Sequence, residues 1–455
     1  MNSNAKNTSQ KTIENQGQGK SPRTLKDIAT TLRYRWVVWG VMALSYMIVY
    51  FHSYSMGVVK GSLIAEYGIT EDIIVSIGNV YFWVYLLMQL PTGILADTLG
   101  ARMTAVLGTL VAAIGTTLFS FSQDLTLLFV GRGLVELGTA VIFVSIIKIQ
   151  STWFKESEFG TITGLTCFIG VMGGAVAQTP LAMMVEAMGW RFSFQLIGMA
   201  SVAIAAIIFF VARNKPEELG MAPLNISVET GETKETNIFK SLLAVFFNPR
   251  TWPLFISYAA YYGSFVIITG YFGTSFISDV YGISTINASS YIIAAVLGAA
   301  VGSVVVGWVS DKMLSRKKPL VYTGLVYVAV WAYVVFANGG QMPQFMLVPT
   351  LFMIGFASCA YVMSWPAVKE VNDPAYVGVS AAVANIGGFT GTIAIPPLVA
   401  NVFVSHGDTL SAVALYQKAF FIVLVSVVLG WGASLLTKET GCKNIYVKRQ
   451  QKEAA

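Results

Sequence analysis

Long apolar stretches alternate with short polar ones along most of the chain. A helix that crosses a bilayer needs about 20 mostly apolar residues. Twelve stretches meet this requirement, at 36–58, 73–96, 103–121, 126–149, 159–185, 190–212, 251–277, 287–310, 319–337, 345–367, 376–403 and 412–436. The pattern predicts an all-α membrane protein with twelve transmembrane helices.

The longest polar segment between these stretches divides them six and six. We therefore expect two six-helix halves joined by a linker. Because the linker is rich in Glu, Thr and Lys, it is typical of a flexible or partly helical connection. The expected division is an N-terminal tail at 1–35, a half at 36–212, the linker at 213–250, a second half at 251–437 and a C-terminal tail at 438–455.

Composition supports a membrane location. The chain is 55% hydrophobic and only 11% charged, whereas soluble domains carry about a quarter charged residues. No apolar core or cleavage site occurs in the first 35 residues, so we expect no signal peptide. Three scattered cysteines and two histidines offer no disulfide framework and no clustered metal ligands. With no nucleophile motif either, we expect no cofactor, no metal site and no enzyme activity.

Lysine and arginine predict the orientation. Twenty-five of them fall in the tails and in the loops on one side, and the opposite side has only Lys60, Arg191 and Lys418. Cytoplasmic loops carry such an excess, so both termini are expected in the cytoplasm. The net charge of +6 is then an orientation signal, and we expect no nucleic-acid partner.

Two loops share one motif. A glycine is followed after four residues by an aspartate and after five more by an arginine, at Gly93-Asp97-Arg102 and at Gly307-Asp311-Arg316. The two copies are 214 residues apart. A second repeat relates "GGAVAQTPLA" to "TGTIAIPPLV" at an offset of 217. Internal repeats around a midplane site are typical of transporters.

With these doubled motifs and the run "GRGLVELGTA", almost all of the chain outside its tails resembles the major facilitator superfamily. The resemblance implies a secondary transporter in the cell membrane, here the cytoplasmic membrane of a prokaryote. It also implies that Asp97, Arg102, Asp311 and Arg316 are gating residues. Each aspartate would pair with the arginine of its own loop and face the positive N-terminal end of a helix from the other half. Because Leu314 replaces Gly100 of the first copy, we expect a looser second contact.

Few ionisable residues lie within the apolar stretches, and such residues are candidates for function. Arg132 and Glu136 are four apart and can pair, and His52 falls late in the first stretch. Lys148 is either a ligand or an anchor near a membrane surface. The family resemblance places stretches one, four, seven and ten around a cavity. The expected substrate-binding residues are Arg132, Glu136, His52, Tyr261, Tyr262, Tyr361 and Trp365.

"KPEELG" and "SYMIVYFH" resemble the branch of sugar-phosphate permeases and organic-anion carriers. "WPAVKEVNDP" is similar to bacterial relatives of the lysosomal dipeptide carrier. Phosphate carriers of the first branch use two arginines where this chain has Ser53 and Val266. We expect a small anionic or zwitterionic organic solute, with Arg132 as its main cation and a proton or counter-solute as coupling partner. A proton-coupled exporter using Glu136 or His52, and a non-transporting membrane sensor, remain open.

Overall fold

Helices make up most of the computed structural model, which describes residues 22–177, 179–224, 238–407 and 409–446. No strand occurs within those ranges. The expected tails and linker therefore lie partly outside the described residues, at 1–21, 225–237 and 447–455. The α-helices are α1 Pro22–Tyr67, α2 Glu71–Thr98, α3 Ala101–Ser120, α4 Leu125–Ala140, α5 Ile142–Trp153, α6 Phe159–Val176, α7 Thr179–Val211, α8 Ile238–Phe246, α9 Trp252–Val266, α10 Gly273–Tyr281, α11 Thr285–Lys312, α12 Lys317–Phe336, α13 Leu347–Ser358, α14 Ser364–Val371, α15 Val377–His406 and α16 Ala412–Leu436.

Ten helical stretches of the described chain are long and apolar enough to cross a membrane. This confirms the all-helical membrane class. The expected spans at 73–96 and 159–185 are not among the ten. The second is described as α6 up to Val176 and α7 from Thr179, and residue 178 between them lies outside the described residues. Helix α7 also breaks at Gly189, whose φ of 78° is a left-handed conformation that favours glycine.

Capping side chains fix several helix starts. Asp124 accepts a hydrogen bond from the Leu127 N–H at 2.8 Å before α4. Ser284 and Ser411 do the same before α11 and α16. Such caps satisfy N–H groups that a helix leaves without a partner. The first helix begins at Pro22 rather than Trp36, and the polar residue Thr31 is held in it by a bond to the Ala222 carbonyl.

The helices before and after the 225–237 gap form two packed groups, which we call the N-terminal part (22–224) and the C-terminal part (238–446). Helix α2 of the first part packs on α15 of the second, and α6 packs on α11. Both crossings bring a Gly-x-x-x-Asp motif against the start of a helix in the other part. We call the end of the bundle that carries Asp97 and Asp311 the latch face.

Candidate solute site and gate

A cavity of about 470 Å³ lies between the two parts. Its walls come from the middle of the long helices and from their ends away from the latch face, so it extends toward the opposite end of the bundle. Aromatic rings dominate the walls. The lining residues are Tyr46, Val49, Tyr50, Ser53, Tyr54, Met56, Gly78, Tyr85, Arg132, Phe143, Cys167, Tyr258, Tyr262, Phe265, Val266, Thr269, Gly270, Tyr361, Trp365, Asn385, Phe389 and Thr392.

Two pairs of tyrosines line opposite walls. Tyr46 and Tyr50 on α1 are one helical turn apart, as are Tyr258 and Tyr262 on α9. Each residue of the second pair follows its counterpart by 212 residues, close to the 214-residue offset of the loop motif. The internal repeat therefore extends into the cavity. Tyr46 and Tyr50 were not among the expected substrate-binding residues, although their i, i+4 spacing in the first apolar stretch indicates a shared helix face.

Aromatic contacts close the cavity toward the latch face. The rings of Phe143 and Trp365 lie 4.6 Å apart between centroids and join the two parts. Tyr258 packs edge-on against Trp365 at 5.1 Å. The indole N–H of Trp365 donates to the side-chain oxygen of Asn385 at 2.8 Å, which fixes the ring plane. A solute in the cavity would rest on this aromatic layer.

Arg132 and Glu136 form a buried ion pair on α4. Their side chains are 3% and 1% exposed, and Nη2 lies 2.7 Å from Oε1. A second guanidinium nitrogen donates to the His52 carbonyl at 3.0 Å, while Nε has no partner. Glu136 also accepts a hydrogen bond from Thr139 at 3.4 Å. The predicted pair is therefore formed, and the Nε atom of Arg132 has no described hydrogen-bond partner.

Four of the seven expected substrate-binding residues line the cavity, namely Arg132, Tyr262, Tyr361 and Trp365. Glu136, His52 and Tyr261 do not line it. Glu136 lies behind Arg132, and the His52 ring is buried against the Thr116 hydroxyl at 3.3 Å.

Tyr261 is fully buried, with its ring 5.8 Å from Tyr327 on α12. Successive residues of a helix point about 100° apart. Tyr258 and Tyr262 share the face toward the cavity, so Tyr261 is turned into the packing between helices. The helical periodicity of the sequence therefore favours Tyr258, rather than Tyr261, as the residue that lines the cavity beside Tyr262.

A π-helical turn at Ile267–Tyr271 lies between the end of α9 and the start of α10. Such turns are frequent at functional sites. This one brings Thr269 and Gly270 to the cavity wall beside Val266. Neither Ser53 nor Val266 supplies a charge, and Arg132 is the one charged side chain among the described residues that line the cavity. The wall therefore offers one cation, whose charge Glu136 balances as long as that carboxylate is ionised.

The first loop motif meets the N-terminus of α15. The Asp97 carboxylate accepts hydrogen bonds from the N–H groups of Gly378 and Val379, both at 3.0 Å. Its cation is Lys148, at 2.6 Å. The prediction that Asp97 pairs with Arg102 is wrong, because the Arg102 guanidinium donates to the Phe209 carbonyl instead. Lys148, rather than Arg102, is therefore the cation at this contact between the two parts.

The second motif meets the N-terminus of α6. The Asp311 carboxylate accepts from the N–H groups of Gly160 at 3.1 Å and Thr161 at 2.5 Å, and from the Thr161 hydroxyl at 2.6 Å. The expected pair with Arg316 is present at 2.6 Å. Arg316 also binds Glu370 at 2.9 Å and the Glu156 carbonyl at 2.8 Å.

The expectation of a looser second contact is wrong. Leu314 adopts a φ of 48°, close to the left-handed conformation in which Gly100 stands at 83°. The loop keeps its shape without glycine. Burial alone would lower the pKa of Arg316, but Glu370 and Asp311 raise it above its usual range. The guanidinium stays charged and joins both parts.

The glycine of each motif allows two backbones to cross. A Cβ on Gly93 would lie 2.8 Å from the Gly378 carbonyl oxygen, and one on Gly307 would lie even closer to the Gly160 carbonyl oxygen. Real Cβ atoms do not approach so closely. Only glycine fits at these positions, and the close approach brings each aspartate within reach of the facing helix N-terminus.

Residues 42–396 match the Major Facilitator Superfamily. The match spans most of the chain and includes both loop motifs and the cavity. The chain belongs to this family of membrane transporters. It is a multi-pass membrane protein and not an enzyme, as expected from the sequence.

Named relatives agree with the branch expected from the motifs. The chain is 25% identical over 379 residues to the "Uncharacterized transporter YybO" of Bacillus subtilis, covering 79% of this chain and 86% of that one. It is 23% identical over 419 residues to the D-galactonate transporter of Escherichia coli, covering 86% and 96%. It is 23% identical over 287 residues to the membrane sensor protein UhpC of Salmonella typhimurium, covering 60% and 64%.

Solved structures show the same fold. The proton:xylose symporter XylE superposes with a TM-score of 0.68 at 14% identity, covering 91% of this chain and 98% of that one. A bacterial homologue of the human lysosomal transporter Spinster gives 0.56 at 16% identity, covering 92% and 98%.

Proposed function

We propose that this protein is a secondary active transporter that moves a small organic anion across the cell membrane by alternating access. The observation that carries the proposal is the cavity between two repeat-related parts. One charged side chain lines it, and paired carboxylate–helix contacts close it at one end. In this proposal the chain has twelve spans in two six-helix halves, and the lysine and arginine excess makes the latch face cytoplasmic. The structure then represents the outward-facing state.

The proposed solute is a hydroxylated monocarboxylate, such as a sugar acid. Arg132 would bind the carboxylate, and the tyrosine hydroxyls would bind hydroxyl groups along its length. The similarity to a D-galactonate transporter supports this class. A single guanidinium suits one negative charge, whereas a phosphate dianion would need a second cation that Ser53 and Val266 do not supply. Glu136, beside Arg132, is the proposed proton site.

Uptake of labelled sugar acids into proteoliposomes tests the proposal. We expect Arg132→Ala to abolish uptake and Glu136→Gln to retain solute binding but change the pH dependence of transport. The double variant Arg132→Glu/Glu136→Arg retains both charges and moves the cation about one helical turn along α4. It should remain folded and inactive. Normal uptake by this double variant would show that Arg132 is not the solute's cation.

A membrane sensor of the same fold is the second candidate, because one relative carries that name. A sensor would bind the solute without moving it. Wild-type protein that is stabilised by a sugar acid in a thermal-shift assay, yet shows no uptake in proteoliposomes and no exchange of preloaded solute, would favour the sensor.

A further inference from the structure

The chain after α16 returns across the latch face. Gly441 and Cys442 have φ values of 64° and 55°, which turn the backbone sharply. Asn444 donates to the carbonyl oxygens of Lys369 in the last turn of α14, at 3.1 Å, and of Asn372 just beyond its end, at 2.9 Å. We call residues 438–446 the strap.

The strap holds the loop that carries Arg316. The Glu439 carboxylate accepts from the Ser315 hydroxyl and from the Arg316 backbone N–H, the latter at 3.0 Å. It also accepts from the N–H groups of Thr440 and Gly441, both at 3.0 Å. Partial burial raises the pKa of the Glu439 carboxyl, but these hydrogen bonds outweigh burial and hold the pKa below its usual range.

The strap also holds the second counter-charge of the gate. The Thr440 hydroxyl donates to one oxygen of Glu370, and the other oxygen binds the Arg316 guanidinium at 2.9 Å. Neither Glu439 nor Thr440 makes a described hydrogen bond to the N-terminal part. Arg316 does make one, through the Glu156 carbonyl. Glu439 and Thr440 therefore contact the residues that join the two parts, and their own described hydrogen bonds stay within the C-terminal part.

We propose that Glu439 and Thr440 are positioning residues that set Arg316 and Glu370 in the geometry required for closure, so that the strap biases the protein toward the state closed at the latch face. At the first gate, Asn214 after α7 accepts a hydrogen bond from the Arg102 backbone N–H at 2.9 Å, but no described hydrogen bond from that segment reaches Asp97 or Lys148. The C-terminal segment thereby makes the two gates unequal. This inference rests on the alternating-access function proposed above.

A cysteine at Ala382 can report opening without any solute. Ala382 is fully buried on α15, and a Cβ on Gly93 of the other part would lie 3.0 Å from its Cβ. It belongs to the first gate, so it senses separation of the two parts rather than a local change at the strap. Its rate of modification by a thiol reagent in purified protein, followed by peptide mass spectrometry, measures the open fraction.

In the Ala382→Cys background, we expect Glu439→Ala and Thr440→Val each to raise this rate of modification. The increase for Glu439→Ala should be on the order of tenfold, because the variant loses the hydrogen bonds that the charged carboxylate accepts. Glu217→Ala is the matched control, since it removes an exposed carboxylate away from the strap, and should leave the rate unchanged. Cys359, fully buried within the C-terminal part, should stay unmodified throughout.

Unchanged modification of the Ala382→Cys site in both strap variants would overturn the proposal. Modification of Cys359 at the same raised rate would also overturn it, because the strap would then only stabilise the helix packing. Both measurements are independent of solute uptake. Failure of the transport proposal would instead show as absent uptake by wild-type protein, with these labelling rates unaffected.

Discussion

Replacement of Asp311 by asparagine tests how strongly the second gate holds the closed state. Asp311 accepts four hydrogen bonds, and the three from Gly160 and Thr161 cross between the two parts. The fourth comes from Arg316, which is fully buried. Asparagine retains one acceptor oxygen, so Asp311→Asn removes the charge and leaves Arg316 with Glu370 as its remaining ion-pair partner.

A hydrogen bond to a charged group contributes about 1.5–3 kcal/mol net. If the variant loses one of these, the closed state is weakened by about 1.5–3 kcal/mol, or between about 10- and 150-fold in the closed-to-open ratio. Asp97 accepts only three bonds, and its side chain and that of Lys148 are 12% and 22% exposed. Water can replace part of what Asp97→Asn removes, so we expect a smaller shift there.

Spin labels at Leu99 and Ala375 measure the separation. Both positions are exposed at the latch face, one on each part. Pulsed electron paramagnetic resonance should show a longer distance population that grows from wild type to Asp97→Asn to Asp311→Asn, and transport should slow in the same order. Equal populations in all three proteins, at equal expression and melting temperature, would refute the energetic reasoning. A larger effect at Asp97 would refute the ranking.

Two further predictions follow from the cavity and from the proposed orientation. Tyr262→Phe should raise the KM for a hydroxylated solute several-fold, as expected for one neutral hydrogen bond. Tyr261→Phe should leave KM unchanged, because that side chain is buried between helices and does not line the cavity; equal KM values in the two variants would contradict this. A cysteine at the exposed Glu217 should react with a membrane-impermeant reagent in inverted vesicles only, and labelling in intact cells would reverse the proposed orientation.

The repeated motif, together with the family resemblance that it carries, predicted where the aspartates bind. A motif repeated at 214 residues places both carboxylates at equivalent helix ends, and a carboxylate near a helix N-terminus is stabilised in any context. The cation that pairs with Asp97 could not be predicted from the motif. Lys148 is 51 residues from Asp97, and only the packing of α5 beside α2 brings the two together.

The left-handed backbone conformation of Leu314 also could not be predicted from the sequence. Leucine in place of glycine argues against a left-handed residue, yet Leu314 adopts that conformation with a φ of 48°. Hydrogen bonds around it, from the Leu314 N–H to the Asp311 carbonyl and from the Ser315 N–H to the Ser310 carbonyl, hold the turn. A local preference of about 1–2 kcal/mol is smaller than the sum of such contacts. The three-dimensional network decides such a position.

The glycine crossings have a mechanical consequence. Where side chains meet, rotamer changes can accommodate shifts of an ångström or more, but main chain against main chain has no such tolerance. Closure therefore ends at a fixed distance between the two parts, set by the backbone contacts of Gly93 with Gly378 and of Gly160 with Gly307. A larger or smaller cargo cannot alter how far the gate shuts. It can alter only how often the protein reaches the closed state and how long it stays closed.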